Sequence, residues 1–400
     1  MTISRMLRSL ISRARRVLFL IQKVIIRIIR TCVIRTFVLP IKLSPQFEQC
    51  KLKTSERKLP CFLLLRYKYS HGDKRCGISN EEQIRASSLR SNGIGEIVEY
   101  YYDVDYSGCI RGHRNLVKLV TSVCPDFIIL SSYHYLIAEQ PHFEVLKEIR
   151  LKYEIPFICL WFDGVSERAI KASSYMSDTI DLNILIDSNT LVNYFSKKDN
   201  YLMMWMPIDP NIYYPGEACR DIPISFLGSV GSYRAIRKEY LIYLGENRVE
   251  VYHTGGQKEQ RVSIERYAGA LRRSKISLNF SHSIPGKHQL KGRVFEILLS
   301  GALLMESEND MTPQYFTPMV DYVTFDSKED LLDKVRYYLE HDEEREQIAY
   351  SGYKKAIKNY SGEAFWDKVL NKMAELNLFH GFHNDSSGVY TNLKGVRTGL

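Results

Sequence analysis

The chain has 400 residues, of which 45% are hydrophobic and 25% charged, and a formal net charge of +9. That length exceeds what one ordinary core supports and suits two domains of moderate size. The positive excess points to nucleic acid only until it is mapped. Residues 1–42 hold ten basic side chains and no acid, so residues 43–400 carry a net charge of −1 and lack the charge excess of a nucleic-acid surface.

The first element in chain order is that basic segment. From Met1 to Leu39, arginine interrupts the apolar residues every few positions, which leaves no run near the roughly 20 apolar residues a bilayer span needs. A clear signal-peptide pattern is also missing. On a helix, Arg5, Arg8, Arg16, Lys23, Arg27 and Arg30 keep near one face, while Leu10, Val17, Leu18, Ile21, Ile25 and Ile28 fill much of the remainder. This is the pattern of an interfacial helix with its arginines on anionic headgroups. A helix packed on the protein itself, or an extension without structure, are the other readings. Pro40 and Pro45 then end the segment.

From residue 60 apolar runs alternate with amphipathic stretches. Strands are expected at 61–69, 96–104, 126–131, 156–162 and 182–186, with helices at 80–91, 116–123 and 143–153 and between the last two strands. The stretch MPIDPNIYYPG, with three prolines and a glycine, interrupts this rhythm as an interdomain linker would. A second series follows, with strands at 224–227, 249–252, 276–280 and 302–305. Helices are expected there at 233–244, 264–274, 293–300, 330–340 and 343–358. Near-continuous apolar strands separated by helices imply parallel sheets covered on both faces. The expected organisation is a basic segment (1–45), two Rossmann-like domains (46–207 and 208–376) facing across a cleft, and a tail (377–400) that carries no reading. Ligands in such sheets sit at the carboxyl ends of the strands.

The eight cysteines never form a CxxC pair. Several, such as Cys61 and Cys159, lie in apolar runs where a thiol acts as a small hydrophobe. No zinc or disulfide framework is visible, which suits a reducing compartment.

The richest constellation is HQLKGRVFEILLSGALLMES, residues 288–307. Arg293 and Glu296 sit three apart at the start of a helix, whose N-terminus attracts phosphate, and Lys291 and Arg293 add cationic donors. Glu296, one turn in, can accept from both hydroxyls of a ribose. Gly301 lets the helix turn tightly into the next strand. A plain Arg293–Glu296 salt bridge on a solvated face fits the same spacing. Earlier, ISFLGSVGSYRAIRKEY (224–240) places Gly228 and Ser229 after a strand, with Arg234 and Arg237 on the following helix. This is a phosphate-cradling layout that matches neither the P-loop nor the GxGxxG pattern, and it also reads as an ordinary strand–turn–helix.

The ordered runs FLGS…R, YAGALRRSKISLNFS, HQLKGRVFEILLSGALLMES and FTPMVDYVTFDSKEDLLDKVRYYLEHDEEREQIAYSGY resemble the glycosyl transferases group 1 superfamily. The branch they are most similar to is the one typified by the spore-maturation protein CgeB. The resemblance covers roughly residues 205–370 and extends to the first half only by strand order. It implies a GT-B fold, a nucleoside-diphosphate-sugar donor, no obligatory cofactor or metal, and retention at the anomeric carbon. It also implies Glu296 on the donor ribose, with Arg293, Lys291 and the Gly228–Ser229 turn near the diphosphate.

Two positions depart from the pattern. His288 stands where many relatives carry a second glutamate, eight residues before the ribose-binding one. Trp161-Phe162-Asp163-Gly164 stands where many carry a histidine beside the sugar. Asp163 is therefore a candidate acceptor base or a turn residue. His134, in SSYHY, is a second catalytic candidate that also reads as a core or loop histidine. In YSHGDKRCGISNEE (69–82), Gly72 and Gly77 bracket a polar loop facing the cleft, and Ser79-x-x-Glu82 fits a capping box. Asp103-Val104-Asp105 is a DxD, short and common by chance, in the half without donor motifs.

The expected activity is transfer of a sugar to a saccharide or lipid-linked acceptor in cell-surface glycan synthesis, in the cytoplasm at the inner membrane face, with residues 1–39 on an anionic membrane surface and no nucleic-acid partner. An epimerase or phosphorylase on the same fold, and a non-catalytic surface or spore-coat assembly protein, are the rival readings.

Overall fold

The computed structural model describes residues 3–42, 57, 59–79, 81–82, 89–90, 95–131, 133–134, 140–197, 199–216, 219–231, 234–254, 262–284, 287–379, 382–384 and 390–392. The expected helix at 80–91 lies largely outside them.

Two parallel sheets organise the chain. The first contains β1 (Cys61–Arg66), β2 (Glu96–Tyr101), β3 (Phe127–Ser131), β4 (Phe157–Trp161), β5 (Leu182–Leu185) and β6 (Tyr201–Met203), in the order β2-β1-β3-β4-β5-β6. Every residue of β1, β3, β4 and β5 is buried, because helices cover both faces. The helices interleaved with these strands are α2 (Cys109–Val123), α3 (Phe143–Tyr153) and α4 (Glu167–Met176), with α1 (Ile3–Phe37) ahead of them. The second sheet contains β7 (Ile222–Leu227), β8 (Tyr252–Thr254), β9 (Ser274–Asn279), β12 (Leu303–Ser307) and β13 (Val323–Phe325), in the order β13-β12-β9-β7-β8. Its helices are α5 (Ala235–Glu246), α6 (Ile264–Arg273), α7 (Gly292–Leu299), α8 (Lys328–Glu340) and α9 (Asp342–Asn359). Short hairpins β10 (His282–Ile284) with β11 (Lys287–His288), and β14 (Phe382–Asn384) with β15 (Tyr390–Asn392), complete the described strands.

Each sheet reverses its strand order once. The chain steps from β1 out to β2 and returns to β3 on the other side, and likewise from β7 to β8 and back to β9. At such a point the following loops diverge and leave a crevice at the strand ends. In the second sheet that crevice lies beyond Leu227 and Asn279.

Serines open several helices as the sequence signals: Ser166, Ser263, Ser327 and Ser361 each accept the backbone N–H three residues on, a standard N-cap. After α7, Gly301 adopts φ +69° and Arg220 donates to the carbonyls of Ser300 and Gly301. Its other nitrogen reaches the carbonyls of Arg272 and Ser274 at the end of α6. One guanidinium thus closes two helix ends.

Helix α10 (Gly362–Glu375), the last among the described residues, leaves the second sheet and returns to the first. Trp366 joins Leu64, Leu89, Ile129 and Leu160 around a small void, and Phe379 meets Phe127 edge to face at 4.9 Å. The proline-rich stretch is itself packed: Ile208 is buried and bridges Ser361, and Tyr213 is buried against Tyr267.

The last turns of α1 dock on the first domain. Ile34 is buried, and Arg30 donates to the Gln140 carbonyl (2.5 Å) and the Tyr106 hydroxyl (3.2 Å). Thr31 meets His142 at 3.2 Å, and Arg35 pairs with Glu144. Upstream, Val17, Leu18, Ile21, Val24, Ile25, Ile26, Ile28 and Ile29 are all about half exposed or more.

The sequence shows no disulfide framework, and this expectation is corrected. Cys124 is disulfide-bonded, while Cys32, Cys61, Cys109, Cys159 and Cys219 are free. The DxD carboxylates cap turns: Asp103 accepts the Lys68 and Tyr69 amides, and Asp105 the Tyr101 amide.

Candidate functional site

Gly228, Lys291, Arg293 and Glu296 converge at the crevice of the second sheet. Helix α7 begins there, with Lys291 as its N-cap residue, so the free amides and positive end of the helix face the crevice. Arg293 lies against the Gly228 turn so closely that a Cβ on Gly228 would fall 2.5 Å from its Nη2. A side chain at position 228 would displace the guanidinium. Its guanidinium lies 5.3 Å from the centroid of the Phe226 ring. Nη1 donates to Asn279 Oδ1 (3.0 Å) and Nε to the Tyr267 hydroxyl (3.4 Å). Among the described residues Nη2 has no hydrogen-bond partner.

Glu296 does not pair directly with Arg293. Its Oε2 accepts from the Tyr267 hydroxyl at 2.8 Å, so Tyr267 stands between the two. Tyr267 is partly buried, and burial followed by the neighbouring Glu296 charge pushes its hydroxyl well up; it stays a neutral donor.

Lys291 Nζ donates to Gln289 Oε1 (2.7 Å). Burial brings its ammonium down to about 8, opposed by Asp187 and Asp163 and aided by Arg237 and Arg234. Asp187 follows β5 in the first domain. Its Oδ2 accepts from Gln289 Nε2 (2.7 Å), its Oδ1 from the Gly164 amide (3.1 Å), and its carbonyl from the Leu290 amide (3.1 Å). The two domains are thus hydrogen-bonded across the cleft beside Lys291. Burial pushes the Asp187 carboxyl up to about 6.

Deeper in the second sheet, Asn279 Nδ2 donates to Glu306 Oε1 (2.7 Å). Glu306 is fully buried, and burial raises it to about 7 against the lowering influence of Thr312, Asn279, Arg293 and Lys291.

The remaining expected donor residues sit differently. Arg237 is 2% exposed and donates to the carbonyls of Ser229, Phe280 and His282, so it braces the strand ends. The Ser229 hydroxyl accepts the Gly231 amide. Arg234 occupies the N-cap position of α5 without a side-chain capping bond and adds charge near Lys291. His288 lies edge-on to His282 (4.7 Å between centroids) and 3.4 Å from Asp310.

On the opposite wall, Asp163 follows β4 with φ 51° and its carbonyl accepts the Ser166 amide (2.7 Å), which gives it a turn role whatever else it does. Its side chain is exposed. The His134 amide donates to Gln140 Oε1 (2.8 Å), and its Nδ1 is buried without a hydrogen-bond partner among the described residues. Burial lowers its pKa, with Arg168 lowering and Asp163 and Glu81 raising it. His134 and Asp163 are therefore electrostatic neighbours.

Sequence reasoning missed Asp187, Tyr267, Asn279, Gln289 and Glu306 as site residues. The last four lie inside motifs that were singled out. Asp187 carried no signal beyond being the polar residue that ends an apolar strand.

Residues 231–371 match the family model described as glycosyl transferase-like. No curated protein sequence matches the chain. In fold it is similar to Anabaena HepE in complex with UDP, at 10% identity and a TM-score of 0.53, over 78% of this chain and 99% of that one. It is similar also to sucrose-phosphate synthase from Thermosynechococcus elongatus (10%, 0.53, 80% and 99%) and to a glycosyltransferase from Rickettsia africae (10%, 0.53, 81% and 100%). With two parallel α/β sheets arranged as in these structures, the fold is GT-B.

Proposed function

We propose that the chain transfers a glycosyl unit from a nucleoside-diphosphate sugar to a saccharide or lipid-linked acceptor. The observation that carries this reading is the grouping of Arg293, Lys291 and the start of α7 around the Gly228 turn, with Glu296 one turn in. Two cations and a helix N-terminus suit a diphosphate, and a buried carboxylate suits ribose hydroxyls. The family match over this region, and the UDP held by a protein of the same fold, support it. Catalysis then asks chiefly for positioning and for stabilisation of the departing diphosphate. Retention, independence from metal and a role in cell-surface glycan synthesis belong to the same proposal, with Asp163 and His134 on the acceptor side.

The test is hydrolysis and transfer by the purified chain with a panel of nucleotide sugars. Arg293→Ala and Glu296→Ala should each lower turnover by at least about a hundredfold, the scale of a lost charge-stabilising donor. Full activity in both variants removes these residues from the site. Activity lost to EDTA and restored by manganese removes metal independence.

The membrane part rests on α1. No helix among the described residues is long and apolar enough to cross a bilayer. The half-exposed residues from Val17 to Ile29 occupy an arc pointing away from the side of α1 that carries Arg27 and Arg30, and Arg30 and Ile34 dock on the body. Co-sedimentation with anionic vesicles should fall when residues 1–39 are removed; unchanged binding ends this part of the proposal.

A further inference from the structure

The two donor-side cations are held in the same way. Asp187 accepts from the Gln289 amide, whose oxygen accepts from Lys291. Glu306 accepts from the Asn279 amide, whose oxygen accepts from Arg293. A carboxylate has only acceptors, so it turns the NH2 of a neighbouring carboxamide toward itself and the carbonyl oxygen away. We propose that Asp187 and Glu306 are positioning residues for the donor diphosphate, each fixing a carboxamide so that its oxygen aims a cation. This rests on the donor reading given above.

Burying a carboxylate costs stability unless it is fully bonded. Asp187 pairs across the cleft, so Lys291 is aimed only when the two domains are together. The charged groups facing this relay are Asp163, Arg234 and Arg237 around Lys291. Those facing Glu306 are Arg293 and Lys291, with the Thr312 hydroxyl. If either carboxyl takes a proton it becomes able to donate, the amide is free to turn over, and the cation then meets an NH2 group.

The experiment is calorimetric titration of the full chain with UDP, GDP, ADP and dTDP from pH 5.5 to 9. Asp187→Asn and Glu306→Gln should each weaken binding about tenfold near pH 7.5, the scale of one charge-assisted hydrogen bond. Asp187→Asn should also move the alkaline loss of affinity to lower pH, because Lys291 loses its nearest anion. The double substitution Asp187→Asn with Gln289→Glu rebuilds the pair with the carboxylate beside Lys291. It should restore affinity and move the alkaline loss above that of the unaltered chain. A merely structural role would lower Tm and leave this pH limb in place; an unmoved limb in both the single and the double variant overturns the proposal. The double variant is read independently, so a poorly folding single variant does not close the test. Failure of every diphosphate to bind the unaltered chain overturns the donor reading and this inference with it.

Discussion

Glu306 links stability to pH in the direction opposite to a salt-bridged carboxylate. Its folded pKa, about 7, lies above the ordinary value of a glutamate in an unfolded chain. Between these values the folded state binds more protons than the unfolded one, so stability falls as pH rises through that window. Asp187, at about 6, acts in the same sense. Urea unfolding at pH 5.5 and 8 should therefore show the chain more stable at the lower pH, by about 2 kcal/mol from Glu306. Glu306→Gln should raise stability at pH 8 and flatten the difference; an unchanged slope would show that Glu306 does not titrate in this range. Donor affinity should rise as both carboxylates ionise, until Lys291, at about 8, begins to lose its proton. Spacing marks Lys291, Arg293 and Glu296 as an anion site, because a cation pair at a helix start is a local pattern, and the family resemblance adds the donor reading. Asp187 escaped because its partner Gln289 is about a hundred residues away in the chain. Gly228 stands out in the sequence as room for a phosphate, and in the structure the Arg293 guanidinium lies against it.

At the level of elements, Arg220 shows how one side chain can hold two helices. It serves four carbonyls at the ends of α6 and α7. Arg220→Met should cost about 3 kcal/mol, through buried carbonyls left without donors, seen as a lower urea midpoint. Gly301→Ala meets both the left-handed φ of +69° and a contact 2.9 Å from Arg220 Nη2, and should cost about 1–2 kcal/mol. A smaller loss in both variants would mean that this corner relaxes. Strands with continuous apolar runs and helices with serine caps could be read in advance, since both signals are local. The start of β8 was placed early. β2 stops at Tyr101, where the expected strand ran on to residue 104, because Asp103 and Asp105 turn the chain through backbone amides. Strand β13 was not anticipated: at three residues it has too little pattern of its own, and its place comes from β12. Helix α10 is the exception: its Ser361 cap and apolar spacing are equally local, yet no helix is expected there from the sequence.

On the scale of the whole molecule, one hydrophobic cluster runs from the first sheet through α10 into the second. It contains Leu64, Phe127 and Ile129 together with Phe295, Phe365 and Trp366. The two domains should therefore unfold together. Trp366→Ala should cost about 3–5 kcal/mol and split a single thermal transition into two; one transition kept in the variant would show that the domains are joined elsewhere. Two sheets and a cleft could be anticipated from the alternation of strand and helix. Their fastening could not, because it depends on the end of the chain meeting its beginning. That arrangement also sets a timetable for synthesis. Strands β1 and β3 emerge early, but Trp366 and Phe379, which cover Leu64 and Phe127, are translated roughly 250 residues later than Phe127. At ribosomal speeds of about 5–20 residues per second, that apolar face waits for roughly 12–50 seconds on the nascent chain, long enough for a chaperone to find it before α10 does.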